Sequence, residues 1–365
     1  MTLELSPILI GAMRFKDRAS AIETIHTAID CGFNYIDTSP CYCRQSEEEC
    51  SEAWVGAAVN DPAYRDRVLV STKCSPGNGG LEIGYEFQPA GGFGVRSVEQ
   101  LNKVFNQSLT RLNLDKVDYY HLWTTHTDEQ FAEAMKPGGW HDGVRGLREK
   151  GLINHLGVTS HADTDGVIRF LETGLFETVT IPLNIVNTTR LGVVDYCVKH
   201  DITVIAMNPL AGGFLAADDE LKELALRYLL KLPKTHVLIG FSSPEEVRYA
   251  KWILDTMDGW SMSADDMLER VAAMIDADEP RCTACGYCRP CPQGINVGAA
   301  LSYYNLYKYM GMSEAKKAFN EKQWESGLAL SKCTGCLQCQ NRCPNNLPLA
   351  KILADAKAIM YDNAQ

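Results

Sequence analysis

Two tight groups of cysteines near the C-terminus carry the clearest chemistry in this 365-residue chain, which has 14 cysteines in total. The first group comprises Cys282, Cys285, Cys288 and Cys291. The second group comprises Cys333, Cys336, Cys339 and Cys343. The second has the spacing C-x₂-C-x₂-C-x₃-C-P, and the first has one residue fewer before its last cysteine. Three thiolates at this spacing bind one face of a cubane cluster, and the fourth typically reaches a neighbouring cluster. The pattern therefore predicts two [4Fe–4S] clusters.

The ligand sets are expected to cross between the two groups. One predicted set is Cys282, Cys285, Cys288 and Cys343. The other predicted set is Cys333, Cys336, Cys339 and Cys291. A Cys₄ zinc site is the alternative, but zinc does not require four regularly spaced cysteines followed by proline, twice. The segment from residue 281 onward carries a net charge of +5 within a chain of net charge −11. Oxidised clusters with four thiolates carry about −2 each, which gives a reason for this basic composition.

Eight short apolar segments alternate with helical patterns over the first 260 residues and must position any further chemistry. The segments are PILIGAM from 7, FNYIDTS from 33, RVLVSTK from 67, DYYHLWT from 118, INHLGVTS from 153, TVTIPLN from 178, TVIAMNP from 203 and HVLIGFS from 236. This rhythm predicts an α/β fold, a (β/α)₈ TIM barrel. A doubly wound sheet is the alternative, but no GxGxxG fingerprint follows the first strand.

The domain organisation follows from these patterns. We expect the barrel in 1–262, a linker helix in 263–280 and a small, mostly helical iron–sulfur domain in 281–365. A helix is expected to begin after Ser97, because Gln100 follows at capping-box spacing. The long Gly-rich loop between Lys73 and Ser97 is either a mobile lid over the active site or a passive insertion.

Short motifs in the barrel region give a family resemblance. They are LIGAMRF, NYIDTSPCY, VSTK, GLINHLGVTSH, NPLAGG and IGFSSPEEV, at or after strands one, two, three, five, seven and eight. With the cysteine groups, the chain resembles an aldo/keto reductase fused to a C-terminal ferredoxin-like domain. The resemblance covers nearly the whole chain. It implies an oxidoreductase that acts on a small-molecule carbonyl or alcohol substrate.

The resemblance also implies a catalytic group made of Asp, Tyr, Lys and His. Asp37 and Tyr42 match with the expected five-residue separation, and Lys73 ends the third-strand motif. Tyr42 would donate a proton to a carbonyl oxygen as hydride reaches the carbon. A free phenol has a pKa near 10, and a nearby ammonium favours its ionised form. Asp37 would hold that ammonium in place.

The histidine of the catalytic group is displaced. The family pattern has an Asp followed five residues later by His, but five residues after Asp118 stands Trp123. His121 faces the same side of the strand and lies about 6–7 Å deeper. Three alternatives remain: His121 reaches the substrate through a local bulge, Trp123 shapes a changed pocket, or His126 or His161 substitutes.

The resemblance places a nicotinamide site for NAD(H) or NADP(H) after strands five to eight. Several residues that are usual in the family are replaced there. Thr159 and Ser160 stand in place of Ser-Asn, Thr180 stands in place of a Gln, and Met207 stands in place of an aromatic residue that stacks on the nicotinamide. Glu246 stands where some members have an Arg for the 2′-phosphate, which makes a preference for NADP doubtful. The candidate cofactor-binding residues are Thr159, Ser160, Thr180, Met207, Asn208, Gly240, Ser242 and Ser243.

The composition narrows the possible partners. The net charge of −11 argues against nucleic acid, and no apolar run reaches the roughly 18–20 residues of a membrane span. The first residues lack the features of a signal peptide, so we expect a cytoplasmic protein. Cys41, Cys43, Cys50 and Cys74 surround the tyrosine and lysine motifs, so a third metal site is conceivable.

The clusters raise a question of electron counting. A hydride carries two electrons together, whereas each cluster passes one. The clusters therefore either exchange electrons with a ferredoxin or another electron-transfer partner, or are largely structural.

Two other functions compete with a nicotinamide-dependent reductase. One is a ferredoxin-linked reductase without nicotinamide, and the other is a non-catalytic electron carrier or redox sensor.

The two-cluster prediction has a direct test. Protein purified without oxygen should be dark brown and contain about eight iron atoms per chain, because each cubane holds four. Iron and zinc analysis with a visible spectrum measures this. A colourless protein that holds zinc would contradict the cluster prediction.

Overall fold

The computed structural model describes residues 4–76, 94–275, 281–323, 327–343 and 345–361. The predicted lid segment lies mainly in 77–93, outside the described residues. The chain forms two compact units. Among the described residues, the first unit runs to Pro209 and resumes over Leu226–Ser261. The second unit takes in Leu210–Ala225, which the sequence places inside the barrel, and continues from Met262. The predicted domain boundaries stay a prediction.

Eight parallel strands close into a barrel in the first unit, with each strand paired to the next and β8 paired to β1. The strands are β1 Ile8–Gly11, β2 Tyr35–Asp37, β3 Leu69–Cys74, β4 Val117–Leu122, β5 Ile153–Thr159, β6 Thr178–Pro182, β7 Thr203–Met207 and β8 Thr235–Gly240. All eight lie within or overlap the apolar segments of the sequence analysis. The predicted (β/α)₈ barrel is confirmed.

Helices connect the strands and form most of the second unit. They are α1 Arg18–Asp30, α2 Ser51–Val59, α3 Val98–Leu112, α4 Asp128–Ala134, α5 Trp140–Glu149, α6 Thr164–Leu171, α7 Leu191–His200, α8 Asp219–Leu230, α9 Pro244–Asp255, α10 Ala264–Met274, α11 Val297–Met310, α12 Ser313–Lys322, α13 Gln338–Asn341 and α14 Leu349–Met360. Short 3₁₀ turns cover Arg65–Arg67, Ala211–Gly213, Leu215–Ala217 and Leu330–Lys332. No described helix is long and apolar enough to cross a membrane.

The start of α3 corrects one detail of the sequence analysis. The Ser97 hydroxyl accepts a hydrogen bond from the Gln100 backbone N–H at 3.1 Å, as an N-cap should. The Gln100 side chain, however, accepts from the Arg96 backbone N–H at 2.8 Å. The reciprocal bond of a capping box is therefore not formed, because the glutamine side chain reaches one residue further back than the cap.

Alternate residues of the strands fill the barrel interior in layers. The floor is an apolar cluster of Leu9, Tyr35, Tyr119, Ile205 and Leu238. Above this cluster, Lys73 on β3 is the cross-strand neighbour of His121 on β4, and His121 is in turn the neighbour of Gly157 on β5. Gly157 leaves the space that the His121 imidazole occupies, because a Cβ there would meet the ring at 2.5 Å.

The second unit has its own hydrophobic core, which α11, α12 and α14 share. Its buried side chains include Ile295, Val297, Leu301, Tyr304, Phe319, Leu330, Leu353 and Met360. Cysteines of both groups pack against this core. The mostly helical ferredoxin-like region is thus confirmed, and α10 accounts for part of the predicted linker helix.

Gly157→Ala should destabilise the barrel by about 1–3 kcal/mol, because the added methyl overpacks a closed interior. Its Cβ would meet Thr178 Oγ1 at 2.4 Å as well as the His121 ring. Urea unfolding followed by tryptophan fluorescence measures the change in the free energy of unfolding. The matched control is Gly146→Ala in α5, where a Cβ meets nothing within 4 Å. Equal stability of the two variants would contradict the packing described here.

Candidate active site and cluster-binding cysteines

A buried ion pair lies at the C-terminal ends of two adjacent strands. Lys73 at the end of β3 places its Nζ 2.5 Å from Asp37 Oδ2 at the end of β2, and the two side chains are 2% and 8% exposed. Burial raises the pKa of Asp37, and the Lys73 ammonium opposes that increase. The lysine therefore offsets part of the effect of burial on the carboxyl group.

Tyr42 lies over this pair. It follows β2 in a loop that two backbone hydrogen bonds fix: Tyr42 N–H donates to Ser39 O at 3.1 Å, and Ser51 N–H donates to Tyr42 O at 2.9 Å. The Lys73 ammonium lies 5.0 Å from the centre of the Tyr42 ring. The structure thus brings together Asp37, Tyr42 and Lys73, three of the four residues that the sequence predicts.

His121 has the surroundings of an interior residue. It is fully buried, and its Nε2 lies 3.2 Å from the Tyr35 hydroxyl. Its Nδ1 lies 3.5 Å from Thr159 Oγ1. Burial, and to a lesser degree the charge of Lys73, lowers the pKa of His121 to about 3. Both nitrogens therefore face barrel residues, and the imidazole is kept neutral.

Trp123 is the aromatic residue that contacts Tyr42. Its ring stands edge-on to the tyrosine ring, with centroids 6.2 Å apart and an interplanar angle of 85°. The Trp123 backbone N–H donates to Cys74 O at 3.0 Å, so the residue continues the line of β4 beside β3. Of the three alternatives for the displaced histidine, this geometry favours a pocket that Trp123 shapes.

His126 and His161 form a separate buried pair. The His161 backbone N–H donates to His126 Nδ1 at 3.0 Å, and the rings meet edge to face at 5.2 Å. Arg190 donates to the His161 carbonyl at 2.6 Å. Burial lowers the pKa of His126 to about 4 and that of His161 well below its usual range. The pair therefore stays neutral at physiological pH.

The candidate nicotinamide residues occur at the ends of β5 to β8. Thr159 and Thr180 are cross-strand neighbours. The Ser160 hydroxyl accepts from Ala162 N–H at 3.0 Å, which closes the turn after β5. Met207 ends β7, and Asn208 follows with a left-handed φ of 59°. These residues line one edge of the barrel mouth.

The end of β8 shows features that sequence reasoning did not bring out. The Arg14 side chain packs over Gly240, since a Cβ there would meet Arg14 Cγ at 3.0 Å. Ser242 gives both its backbone N–H and its hydroxyl to the Glu246 carboxylate, at 2.7 and 3.0 Å. Ser243 is the N-cap residue of α9. A cationic side chain and a carboxylate thus flank the proposed phosphate region.

A second buried ion pair supports the tyrosine loop, and no sequence signal identified it. Glu52 in α2 accepts from Arg111 Nε at 2.7 Å and from the Thr72 hydroxyl at 2.6 Å. Arg111 also contacts Glu47, in the loop that follows Tyr42, at 3.0 Å. Charged residues in helices usually lie at the surface, so the sequence alone gave no reason to pair them.

The crossed ligand sets stay a prediction, and two observations on the eight cysteines support them. A cavity of about 220 Å³ has four cysteines in its lining, Cys291, Cys333, Cys336 and Cys339. In the other set, burial raises the pKa of Cys282, and the neighbouring charges of Cys285, Cys288 and Cys343 raise it further. Bonds to iron would stabilise these four thiolates in place of the water that burial removes. The donor set therefore fits a [4Fe–4S] cluster.

A single-ion site is not formed in the part of the chain that the structure describes. No three His, Cys, Asp or Glu side chains there are grouped to hold one metal ion. The conceivable third site around Tyr42 is therefore not supported. Burial raises the pKa of the Cys41 thiol to about 12, and this thiol contacts the Ser39 hydroxyl at 3.3 Å.

Comparison with known proteins agrees with this geometry. The profile of the aldo/keto reductase family matches residues 7–222. The chain belongs to the aldo/keto reductase family. A profile for a 4Fe-4S dicluster domain matches residues 281–347. The protein is therefore an oxidoreductase that combines a reductase barrel with an iron–sulfur domain.

Individual relatives are distant. The 6-dehydroglucose reductase of Novosphingobium aromaticivorans is 26% identical over 236 residues, which span 61% of this chain and 71% of that protein. The holo form of aldo-keto reductase AKR11C1 from Bacillus halodurans superposes with a TM-score of 0.60 at 22% identity, over 74% and 93% of the two chains. A Klebsiella pneumoniae aldo-keto reductase in complex with NADPH gives 0.54 at 20% identity, over 73% and 91%. The structural matches establish the fold.

The buried histidine makes stability depend on pH. Because the pKa of His121 is about 3 in the folded protein and about 6.5 in an unfolded chain, only the unfolded chain takes up a proton as the pH falls below about 6.5. The protonation of this one group therefore lowers the free energy of unfolding by about 2 kcal/mol at pH about 5.

His121→Asn should reduce the difference in unfolding free energy between pH about 7.5 and about 5 by that amount. His200→Asn, at an exposed histidine, is the control. Parallel pH profiles for His121→Asn and the wild type would contradict this prediction.

Proposed function

We propose that the barrel reduces an aldehyde or ketone, with Tyr42 as the proton donor and a nicotinamide as the hydride source. The observation that carries this proposal is the buried Lys73–Asp37 pair, 2.5 Å apart, with the lysine ammonium 5.0 Å from the Tyr42 ring. Burying two charges costs several kcal/mol unless their pairing compensates. A retained buried pair beneath a tyrosine is well suited to acid–base chemistry.

The step follows from the residues present. The substrate carbonyl oxygen would lie against the Tyr42 hydroxyl, which donates its proton as the carbon becomes tetrahedral. A bound reduced nicotinamide would supply the hydride. The Lys73 ammonium stabilises the negative charge left on the phenol oxygen, and Asp37 keeps the ammonium at this position. Trp123 covers one edge of Tyr42 and restricts water and substrate there.

The two clusters would be ligated by the crossed sets, Cys282, Cys285, Cys288 and Cys343 in one and Cys333, Cys336, Cys339 and Cys291 in the other. We propose that they pass single electrons rather than only support the fold. The cysteine-lined cavity supports ligation of a cluster by the set that contains Cys336, and the surplus of basic residues is consistent with anionic clusters in this unit. Electron exchange with a ferredoxin or similar partner would then connect the barrel chemistry to a one-electron pool.

The cofactor preference should be NADH over NADPH. The Glu246 carboxylate already accepts from the Ser242 backbone N–H and hydroxyl, and a 2′-phosphate placed there would meet like charge. Arg14 over Gly240 offers a cation for the shared pyrophosphate. The structurally similar Klebsiella pneumoniae reductase, which was solved in complex with NADPH, supports a nicotinamide cofactor for this barrel.

The same carboxylate is the observation that favours a second candidate, a ferredoxin-linked reductase without nicotinamide. A bound dinucleotide would have to share Ser242 with Glu246. If neither NADH nor NADPH binds, two electrons must come singly from the clusters, and the hydrogen on the carbonyl carbon must come as a second proton from solvent. Tyr42 would keep its role as proton donor in this second candidate, because any carbonyl reduction needs a proton on oxygen.

Tyr42→Phe should lower the turnover of carbonyl reduction by about 10²–10⁴-fold, because positioned general acids contribute about that much. Iron content and nicotinamide affinity should be unchanged, since the phenol oxygen alone is removed. Steady-state rates with a panel of small aldehydes and ketones measure this.

Tyr196→Phe in α7 is the matched control, because this tyrosine stacks on His200 away from the strand ends. Its turnover should equal that of the wild type. Full activity in Tyr42→Phe would remove Tyr42 as the proton donor and with it the basis of the proposed step.

A further inference from the structure

The loop that carries the second cysteine group lies at the surface. Cys336 is exposed, whereas the other seven cluster cysteines, all of which the structure describes, are buried or partly buried. Leu337 next to it has 45% of its surface exposed and a left-handed φ of 62°. The flanking residues Thr334, Gly335 and Gln338 are exposed as well. A cluster in this cavity would lie within short reach of a protein that contacts the loop.

The other ligand set is more enclosed. Cys288 is buried, and Arg281 precedes the first ligand in the chain. The Arg281 guanidinium lies over the Tyr309 ring at 4.3 Å and over the Phe214 ring at 5.4 Å. The stack covers the chain beside Cys282. The set that contains Cys336 is therefore the more exposed of the two.

The exposed loop is surrounded by positive charge. No Asp or Glu occurs from 326 to 354, whereas Lys332, Arg342 and Lys351 lie in that stretch and are exposed. The next acidic residue, Asp355, already accepts from Tyr304 and Lys308 at 2.5 and 3.0 Å. The charged side chains of this stretch are therefore all positive, although the whole chain is acidic.

Hydrogen bonds and cavity contacts link Arg342, Leu337 and the start of α14, and Lys332 directly precedes the cavity residue Cys333. Arg342 donates to the Pro290 carbonyl at 2.8 Å and to the Gln338 side chain at 3.4 Å. The Ala350 backbone N–H, next to Lys351, donates to Gln340 in α13 at 3.0 Å. The cavity of the second set is lined by Leu337 and Ala350 together. We call Lys332, Leu337, Arg342 and Lys351 the basic face.

We propose that the basic face is the docking surface of a small acidic carrier protein with a one-electron iron–sulfur centre. Leu337 provides an apolar contact at the exposed ligand loop, and the three cations provide complementary charge around it. One electron passes from the reduced carrier to the cluster of Cys291, Cys333, Cys336 and Cys339, with no bond formed or broken. The inference rests on the cluster assignment of the proposed function, and it names the cluster that the partner meets first.

The test mixes the oxidised full-length protein with a chemically reduced acidic [2Fe–2S] ferredoxin in an anaerobic stopped-flow instrument. Loss of cluster absorbance gives the second-order rate constant. In the wild type this constant should fall by about tenfold or more between low salt and about 0.5 M salt, because screening removes the steering field. Lys351→Glu should lower it by about tenfold at low salt. Lys351 is the informative position because, unlike Lys332 and Arg342, it does not adjoin a cysteine.

Lys317→Glu in α12 is the matched control, since it changes the net charge equally at an exposed lysine outside the basic face. Its rate constant should match that of the wild type, and dithionite should reduce all three proteins alike. Equal rate constants for Lys351→Glu and Lys317→Glu would overturn the docking surface, as would clusters that dithionite reduces and the ferredoxin does not. The readout uses neither nicotinamide nor carbonyl substrate, so a failure of the proposed barrel chemistry would be seen separately.

Discussion

The buried pair of Lys73 and Asp37 is the constraint on which the active-site end of the barrel depends. An ammonium and a carboxylate removed from water cost several kcal/mol each, and only close pairing with further polar contacts offsets that cost. The 2.5 Å contact between them supplies the pairing. Adjacent parallel strands hold the two residues at this distance, since β2 pairs with β3 throughout its length. The closed barrel therefore holds the buried lysine against its carboxylate partner beneath Tyr42.

Other features of the first unit serve to keep this arrangement rigid. The loop of Tyr42 is fastened by backbone bonds at Ser39 and Ser51, and the Glu52–Arg111 pair fixes the adjacent helices. Beneath the ion pair, the His121 imidazole fills the space left by Gly157. This packing encloses the His121 imidazole among barrel residues and lowers its pKa, while Trp123 lies beside the tyrosine.

Much of the fold could be predicted from the sequence because its signals are local. Apolar strand segments consist of consecutive residues, so the eight strands follow directly from the sequence. The crossed ligand sets, which rest on cysteine spacing, stay a prediction. Features that depend on long-range contacts could not be read in this way. The carboxylate of Glu246 on Ser242, Arg14 over Gly240 and the placement of Leu210–Ala225 in the second unit each join segments whose proximity only the folded chain defines. The hydrogen bond of the Gln100 side chain was predicted wrongly for a related reason. The spacing allowed two partners, and the side chain accepts from the backbone N–H of Arg96 rather than from that of Ser97.

The central claim is that the barrel delivers hydride from a nicotinamide to a carbonyl above Tyr42. The most direct measurement is an anaerobic single-turnover experiment with NADH deuterated at C4, combined with a binding titration of NADH and NADPH. The account predicts saturable binding with NADH preferred, and deuterium on the carbonyl carbon of the alcohol product. A reduced product without deuterium, or the absence of binding by either nicotinamide, would contradict it and leave the clusters as the source of electrons.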